Sequence, residues 1–166
     1  MTRRQWLNLL SSLGLTAAAG SIAQSLQATP KPGPRIEPLV LTDAQWRQRL
    51  TPEQYHVLRE EGTERPGSSS LNQEKRTGTY HCAGCDLPLF ASNTKYESGT
   101  GWPSFFTTLP GAFQTSRDFK HILPRTEYHC ARCGGHHGHV FNDGPKPTGL
   151  RYCNNGVALK FMPAAA

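Results

Sequence analysis

What the chain lacks narrows its function before any motif is read. It has no run of basic residues and no basic stretch interleaved with aromatics, although its formal charge is +6. A nucleic-acid-binding footprint is therefore missing, and a solvated, mildly basic surface remains. It also lacks an apolar run long enough to cross a membrane comfortably. The best stretch, Leu7 to Ile22, is diluted by Asn8, Ser11, Ser12, Gly14 and Thr16, and a span needs about 20 apolar residues. Long helices are disfavoured by 16 Gly and 13 Pro in 166 residues, a content that suits a compact, turn-rich fold of short strands. At this length one domain plus extensions is expected, with enough chain to bury a sizeable core.

Residues 1–23 read as an address. They contain no acidic residue, and Thr2-Arg3-Arg4-Gln5-Trp6-Leu7 has the adjacent arginines and bulky apolar pair of a twin-arginine export signal. Ser21-Ile22-Ala23 offers small residues for cleavage after Ala23. A periplasmic location is expected, with a membrane tether if the signal is retained. Residues 24–41 carry Pro30, Pro32, Pro34 and Pro38 and read as an extended linker. A domain over residues 42–163 follows. Thr42 with Gln45, and Thr51-Pro52-Glu53-Gln54, each carry the start signals of a short helix, with Gly62 as a natural stop. Arg65–Ser70 reads as a loop.

Four of the five cysteines stand in two near-copies of one knuckle, Tyr80-His81-Cys82-Ala83-Gly84-Cys85 and Tyr128-His129-Cys130-Ala131-Arg132-Cys133. Each CxxC aims two thiolates from a tight turn, and two such turns make the closed tetrahedral sulfur site that one structural zinc prefers. Disulfides, redox-active dithiols or a rubredoxin-like iron are the other uses of such a set. His81 and His129 flank the turns and are superfluous as ligands. In an exported chain a metal loaded before export would keep these cysteines as thiolates in an oxidising compartment.

Cys153 is the cysteine left over, in Gly149-Leu150-Arg151-Tyr152-Cys153-Asn154-Asn155. A lone cysteine is often a small buried apolar residue; beside Arg151 and downstream of a histidine cluster it is a nucleophile candidate, because positive charge favours the thiolate. Trp102, in Gly99-Thr100-Gly101-Trp102-Pro103, is either core or an aromatic platform for a small apolar group. His136, His137 and His139 invite a second metal site. Simple strand alternation points His136 and His139 apart, however, so a pair of titrating imidazoles lining a cleft is the better reading. Leu87–Phe90 and Val157–Phe161 read as strands, and the tail from Pro163 as frayed.

These motifs taken together resemble the B-type peptide-methionine (R)-S-oxide reductases. The resemblance is carried by Thr51-Pro52-Glu53-Gln54-Tyr55, Gly62-Thr63-Glu64, both knuckles, Gly101-Trp102-Pro103-Ser104-Phe105, His136-x-Gly138-His139-Val140-Phe141 and Arg151-Tyr152-Cys153-x-Asn155. It implies a mainly β fold of two small antiparallel sheets with short N-terminal helices and a four-cysteine zinc site, Cys82, Cys85, Cys130 and Cys133, remote from the catalytic centre. It further implies Cys153 as nucleophile and Arg151 as support for its thiolate. His136 and His139 would bind and protonate the sulfoxide oxygen with help from Asn155, and Trp102 and Phe141 would hold the substrate, Trp102 taking its methyl group. The substrate would be methionine sulfoxide, mainly in proteins, the product beside methionine a Cys153 sulfenic acid, and the reductant a thioredoxin-like or other external thiol, acting on a monomer.

Two positions depart from the family. Thr100 stands where many members carry a resolving cysteine, so a one-cysteine cycle is expected. Gly67 stands where an apolar aromatic is more usual. The rival readings are a zinc-ribbon-like binding module without catalysis and an exported iron electron carrier.

Overall fold

The computed structural model describes residues 36–120 and 123–165. The expected export signal, residues 1–23, lies outside the described residues, as does the linker up to residue 35. From Ile36 onward the linker lies against the domain: Leu39 donates its N–H to the Arg132 carbonyl at 2.7 Å, and Ile36, Leu39 and Leu41 pack on the core. No helix among the described residues is long and apolar enough to cross a membrane.

Two helices open the domain, α1 (Asp43–Arg49) and α2 (Pro52–Glu60). Both begin with a reciprocal capping box, Thr42 with Gln45 and Thr51 with Gln54, so each first turn has its exposed N–H groups satisfied. The stop of α2 is Glu61, which takes the left-handed conformation at φ 57, one residue before the expected Gly62. These helices turn Trp46, Tyr55, Val57 and Leu58 inward, and Leu58 lies against the knuckle glycines Gly84 and Gly135.

Among the described residues nine strands follow: β1 (Gly78–Cys82), β2 (Pro88–Ala91), β3 (Lys95–Tyr96), β4 (Ser104–Phe105), β5 (Phe113–Asp118), β6 (Arg125–Cys130), β7 (His136–Phe141), β8 (Arg151–Asn154) and β9 (Leu159–Pro163). They form two antiparallel sheets, ordered β2-β1-β9 and β3-β4-β8-β7-β6-β5. The last strand is shifted from its expected place. Val157 and Ala158 belong to a 3-10 turn, and Pro163 is still paired, opposite Gly78. The turn exists because Gly156 and Val157 direct their N–H groups to the Glu64 carboxylate instead of to a neighbouring strand.

The core between the sheets is aromatic. Phe90 stacks on Phe105 with centroids 4.0 Å apart, Tyr80 meets Phe105 edge-on at 5.0 Å, and Phe113 meets Tyr128 edge-on at 4.8 Å. Such pairs add about 0.5–1.5 kcal/mol each beyond their area burial. One ring from each of several short strands therefore fixes how the two sheets seat.

Candidate active site and metal centre

The two knuckles fold alike because their backbones do. Asp86 donates its N–H to the Cys82 carbonyl and Gly134 to the Cys130 carbonyl, and both residues are left-handed, at φ 60 and φ 66. Each turn thereby aims its two sulfurs inward. Cys82 and Cys133 Sγ lie 3.7 Å apart, Cys85 and Cys130 Sγ 3.4 Å, and all four fall within 4.8 Å of one another. A tetrahedral ion with bonds of about 2.3 Å would space its sulfurs at roughly 3.8 Å; a disulfide needs about 2.05 Å. The four buried cysteines thus fit one tetrahedral ion of the zinc type. Left to themselves the thiols disturb one another's titration, Cys82 being driven well up by its neighbours, Cys130 first, and Cys130 well down by Cys133 and Cys82. A divalent ion removes that conflict by favouring every thiolate.

Cys153 stands apart, half-buried on β8. Its strand is central to its end of the larger sheet: Cys153 lies opposite Ser104 on β4 and opposite His139 on β7. Residues directly opposed across antiparallel strands keep their Cβ atoms about 4.5–5.5 Å apart, which sets thiol and imidazole side by side. The close approach of β7 and β8 requires Gly138, where a Cβ would sit 2.0 Å from the Cys153 carbonyl oxygen. A cavity of about 130 Å³ opens above, lined by Thr63, Trp102, Arg125, His139, Phe141, Cys153 and Asn155 among others. A larger cleft of about 840 Å³ runs between α2 and the 3-10 turn. Its lining includes Ser68, Ser69, Ser70 and His56 but no cysteine, so the smaller cavity is the one that holds the free thiol.

The walls are fixed from behind. Trp102 Nε1 donates to the Glu64 carbonyl at 3.1 Å. Glu64 is itself tied down, taking the N–H of Gly156 at 2.6 Å and of Val157 at 2.9 Å while donating its own N–H to Asn155 Oδ1 at 3.0 Å. The Asn155 side-chain amide donates to the His137 carbonyl at 3.0 Å, so both ends of that side chain are engaged with backbone. Gly101, at φ 89, lets the chain turn against Pro66, which a Cβ would approach to 2.8 Å.

Charge around the thiol is finely opposed. Arg151 grips Asp143 through two hydrogen bonds, 2.8 and 2.7 Å. Burial pushes the Cys153 thiol above its ordinary value, and Arg151 and the Thr100 hydroxyl pull the other way without overcoming it. Arg151 does not make a resting thiolate, because burial outweighs its charge, and the Asp143 carboxylate it grips opposes it a little further. Thr100 sits against the thiol, its hydroxyl within hydrogen-bonding reach.

The histidines correct the alternation argument. β6 and β7 change register between Tyr128 and His129: His129 opposes His136, but Tyr128 opposes Gly138, so His137 is an extra residue on β7. A bulge of this kind shifts the side-chain phase by one. His136 and His139 consequently share a face, with ring centroids 5.6 Å apart. Only His139 lines the cavity; His136 lies behind it, 2% exposed. His137 points into the core, edge-on to Phe113 at 5.4 Å, with burial lowering its pKa to about 3.

Two site residues, Asp118 and Arg125, had no local signal. Asp118, on β5, accepts from His139 Nε2 at 2.8 Å, from an Arg125 guanidinium nitrogen at 2.7 Å and from the Lys120 N–H at 2.9 Å. Those donors, the Lys120 N–H foremost, hold its carboxyl well below the usual range. An ionised carboxylate only accepts, so the proton of neutral His139 resides on Nε2. Burial lowers the His139 pKa and the Asp118 hydrogen bond opposes that.

A two-sheet β fold with four cysteines placed to hold one metal ion, and one separate thiol facing an imidazole, has the arrangement of a thiol-dependent redox protein. The comparisons with known proteins narrow that class. The SelR domain family matches residues 50–163. Among curated proteins the chain is similar to the peptide methionine sulfoxide reductase MsrB of Agrobacterium fabrum, 57% identical over 74% of this chain and 91% of that protein. The corresponding protein of Pseudomonas putida is 58% identical over 72% and 90%, and that of Leptospira interrogans 53% identical over 73% and 93%. The chain belongs to the SelR family of B-type methionine sulfoxide reductases.

Proposed function

We propose that this protein reduces the R epimer of methionine sulfoxide, chiefly in proteins, with Cys153 as nucleophile. The observation that carries the reading is the opposition of His139 and Cys153 on adjacent strands beneath one small cavity. The cavity volume of about 130 Å³ holds roughly four water-sized groups at about 30 Å³ each, the size of a methyl sulfoxide head with one methylene. Trp102 and Phe141 offer apolar walls for the methyl group, and a fixed indole gives the pocket a handedness that would favour one epimer.

In the reaction the Cys153 sulfur supplies two electrons to the sulfoxide sulfur as the S–O bond breaks. The thiol proton passes through His139, whose imidazolium form Asp118 stabilises, and the oxygen ends on Cys153 as a sulfenic acid while methionine leaves. Arg151 lowers the cost of the thiolate during attack. His136 backs His139 without lining the cavity, and Asn155 holds the floor of the pocket through the His137 carbonyl and Glu64. A thioredoxin-like or other external thiol then attacks the sulfenic acid, releasing water, and a second thiol equivalent restores Cys153. No described cysteine outside the sulfur site is free to do this. Cys82, Cys85, Cys130 and Cys133 would hold one zinc ion, whose role would be structural, joining the two knuckles.

Export through the residue 1–23 signal, the 24–41 linker and a monomeric state belong to the same proposal. Arg3→Lys with Arg4→Lys tests the address by cell fractionation, since an exported protein would then stay inside. Stoichiometric turnover followed by mass spectrometry tests the chemistry. One added oxygen on Cys153 is expected, and an internal disulfide would refute the one-cysteine cycle.

A further inference from the structure

The bulge that brings His136 and His139 to one face also gathers a second set of donors. Glu127, His129 and His136 each offer one ligand atom, all within 4.8 Å of one another. Glu127 opposes His139 and His129 opposes His136 across the β6–β7 pair, so rigid neighbouring strands hold the three together. Their individual bonding is incomplete. His136 is 2% exposed, yet neither of its ring nitrogens has a hydrogen-bond partner. Its Nδ1 abuts the Glu127 carboxylate out of line for an N–H bond. His129 Nε2 lies 3.2 Å from the same carboxylate oxygen, and His129 remains 21% exposed at the side chain, leaving a path from solvent. Two imidazoles thus crowd one carboxylate oxygen, and the buried one makes no hydrogen bond through either ring nitrogen, so three donor atoms meet at one place without the bonds that would satisfy them.

We infer that Glu127, His129 and His136 form a second metal site, distinct from the four cysteines, for a divalent first-row transition ion. Two imidazoles and one carboxylate suit zinc, copper, nickel or cobalt over magnesium or calcium, which prefer oxygen alone. Because His129 is partly exposed, water can complete the coordination from its side. Occupation places a positive charge beside His139, whose ring centroid lies 5.6 Å from that of His136, disfavouring the His139 imidazolium, so the ion switches off the adjacent thiol chemistry reversibly. This last consequence rests on the catalytic reading above; the binding does not.

Cobalt(II) added to zinc-loaded protein separates the possibilities. One further ion per chain is expected, with the ligand-field absorption of a nitrogen and oxygen site and no thiolate-to-cobalt charge-transfer band. His129→Ala and Glu127→Gln each weaken uptake at least about tenfold, as loss of a ligand does, while Cys153→Ser binds like the unaltered protein. Retention of one zinc per chain checks that each variant is folded, and His129→Gln serves if His129→Ala is not. Methionine sulfoxide reduction falls as the site fills, returns with a chelator too weak to strip the cysteines, and in His129→Ala is unchanged without metal and insensitive with it. No uptake, a charge-transfer band, or uptake indifferent to His129 or lost in Cys153→Ser overturns the site. Uptake with undiminished turnover overturns the switch alone.

Discussion

His139 Nε2 lies 2.8 Å from the Asp118 carboxylate, and the two come from strands separated by β6. The carboxylate fixes which nitrogen carries the proton and favours the imidazolium that a proton-donating histidine must form. Removing its charge in Asp118→Asn lowers the His139 pKa beyond what burial already does. Activity that needs the imidazolium is lost as pH rises through that pKa, so in the variant the fall begins at lower pH. At neutral pH kcat/KM should drop on the order of 10- to 100-fold. A pH–rate profile measures this, and superimposable limbs would remove Asp118 from the chemistry.

Arg151 and Asp143 give a pair of predictions with opposite sign. Arg151→Met removes a favourable charge and raises the Cys153 pKa further; Asp143→Asn frees the guanidinium and lowers it. The pH dependence of Cys153 alkylation reports both. No shift in either variant would mean that burial alone governs the thiol.

His137 is a buried neutral histidine that no step uses. Its folded pKa, about 3, lies below the roughly 6.5 of an unfolded histidine. The unfolded chain therefore binds the extra proton between those values, and stability falls as pH falls through that window. His137→Leu should flatten this part of the curve, read as urea midpoints from neutral to acid pH. An unchanged slope would assign the acid sensitivity elsewhere.

Removing the knuckle ion tests the sulfur site. A structural zinc contributes folding energy directly, so chelation or Cys82→Ser should lower Tm by on the order of 10 °C or more. One zinc per chain is expected by elemental analysis. An iron chromophore, or full stability after metal removal, would contradict the assignment.

Much of this was legible because its signals are local. Capping boxes place both helices, CxxC spacing finds the sulfur site, and a lone cysteine beside arginine singles out Cys153, which the fold sets opposite His139. What escaped depends on pairing between distant strands. The bulge at His137 reverses the alternation that had pointed His136 and His139 apart, and no residue of β7 by itself signals it. Asp118 and Arg125 read as ordinary surface charges until β5 and β6 pair. Glu64 looks like loop until its carboxylate meets the N–H groups of Gly156 and Val157, which also explains why β9 starts at Leu159.

The central claim is that one sulfur performs the reduction, in a pocket of one hand. Purified R and S epimers of a methionine sulfoxide substrate, offered separately to the protein and to Cys153→Ser with a dithiol reductant, test it most directly. Consumption of the R epimer by the unaltered protein alone, with the S epimer untouched, is the predicted result. Reduction surviving in Cys153→Ser, or equal loss of both epimers, would contradict it.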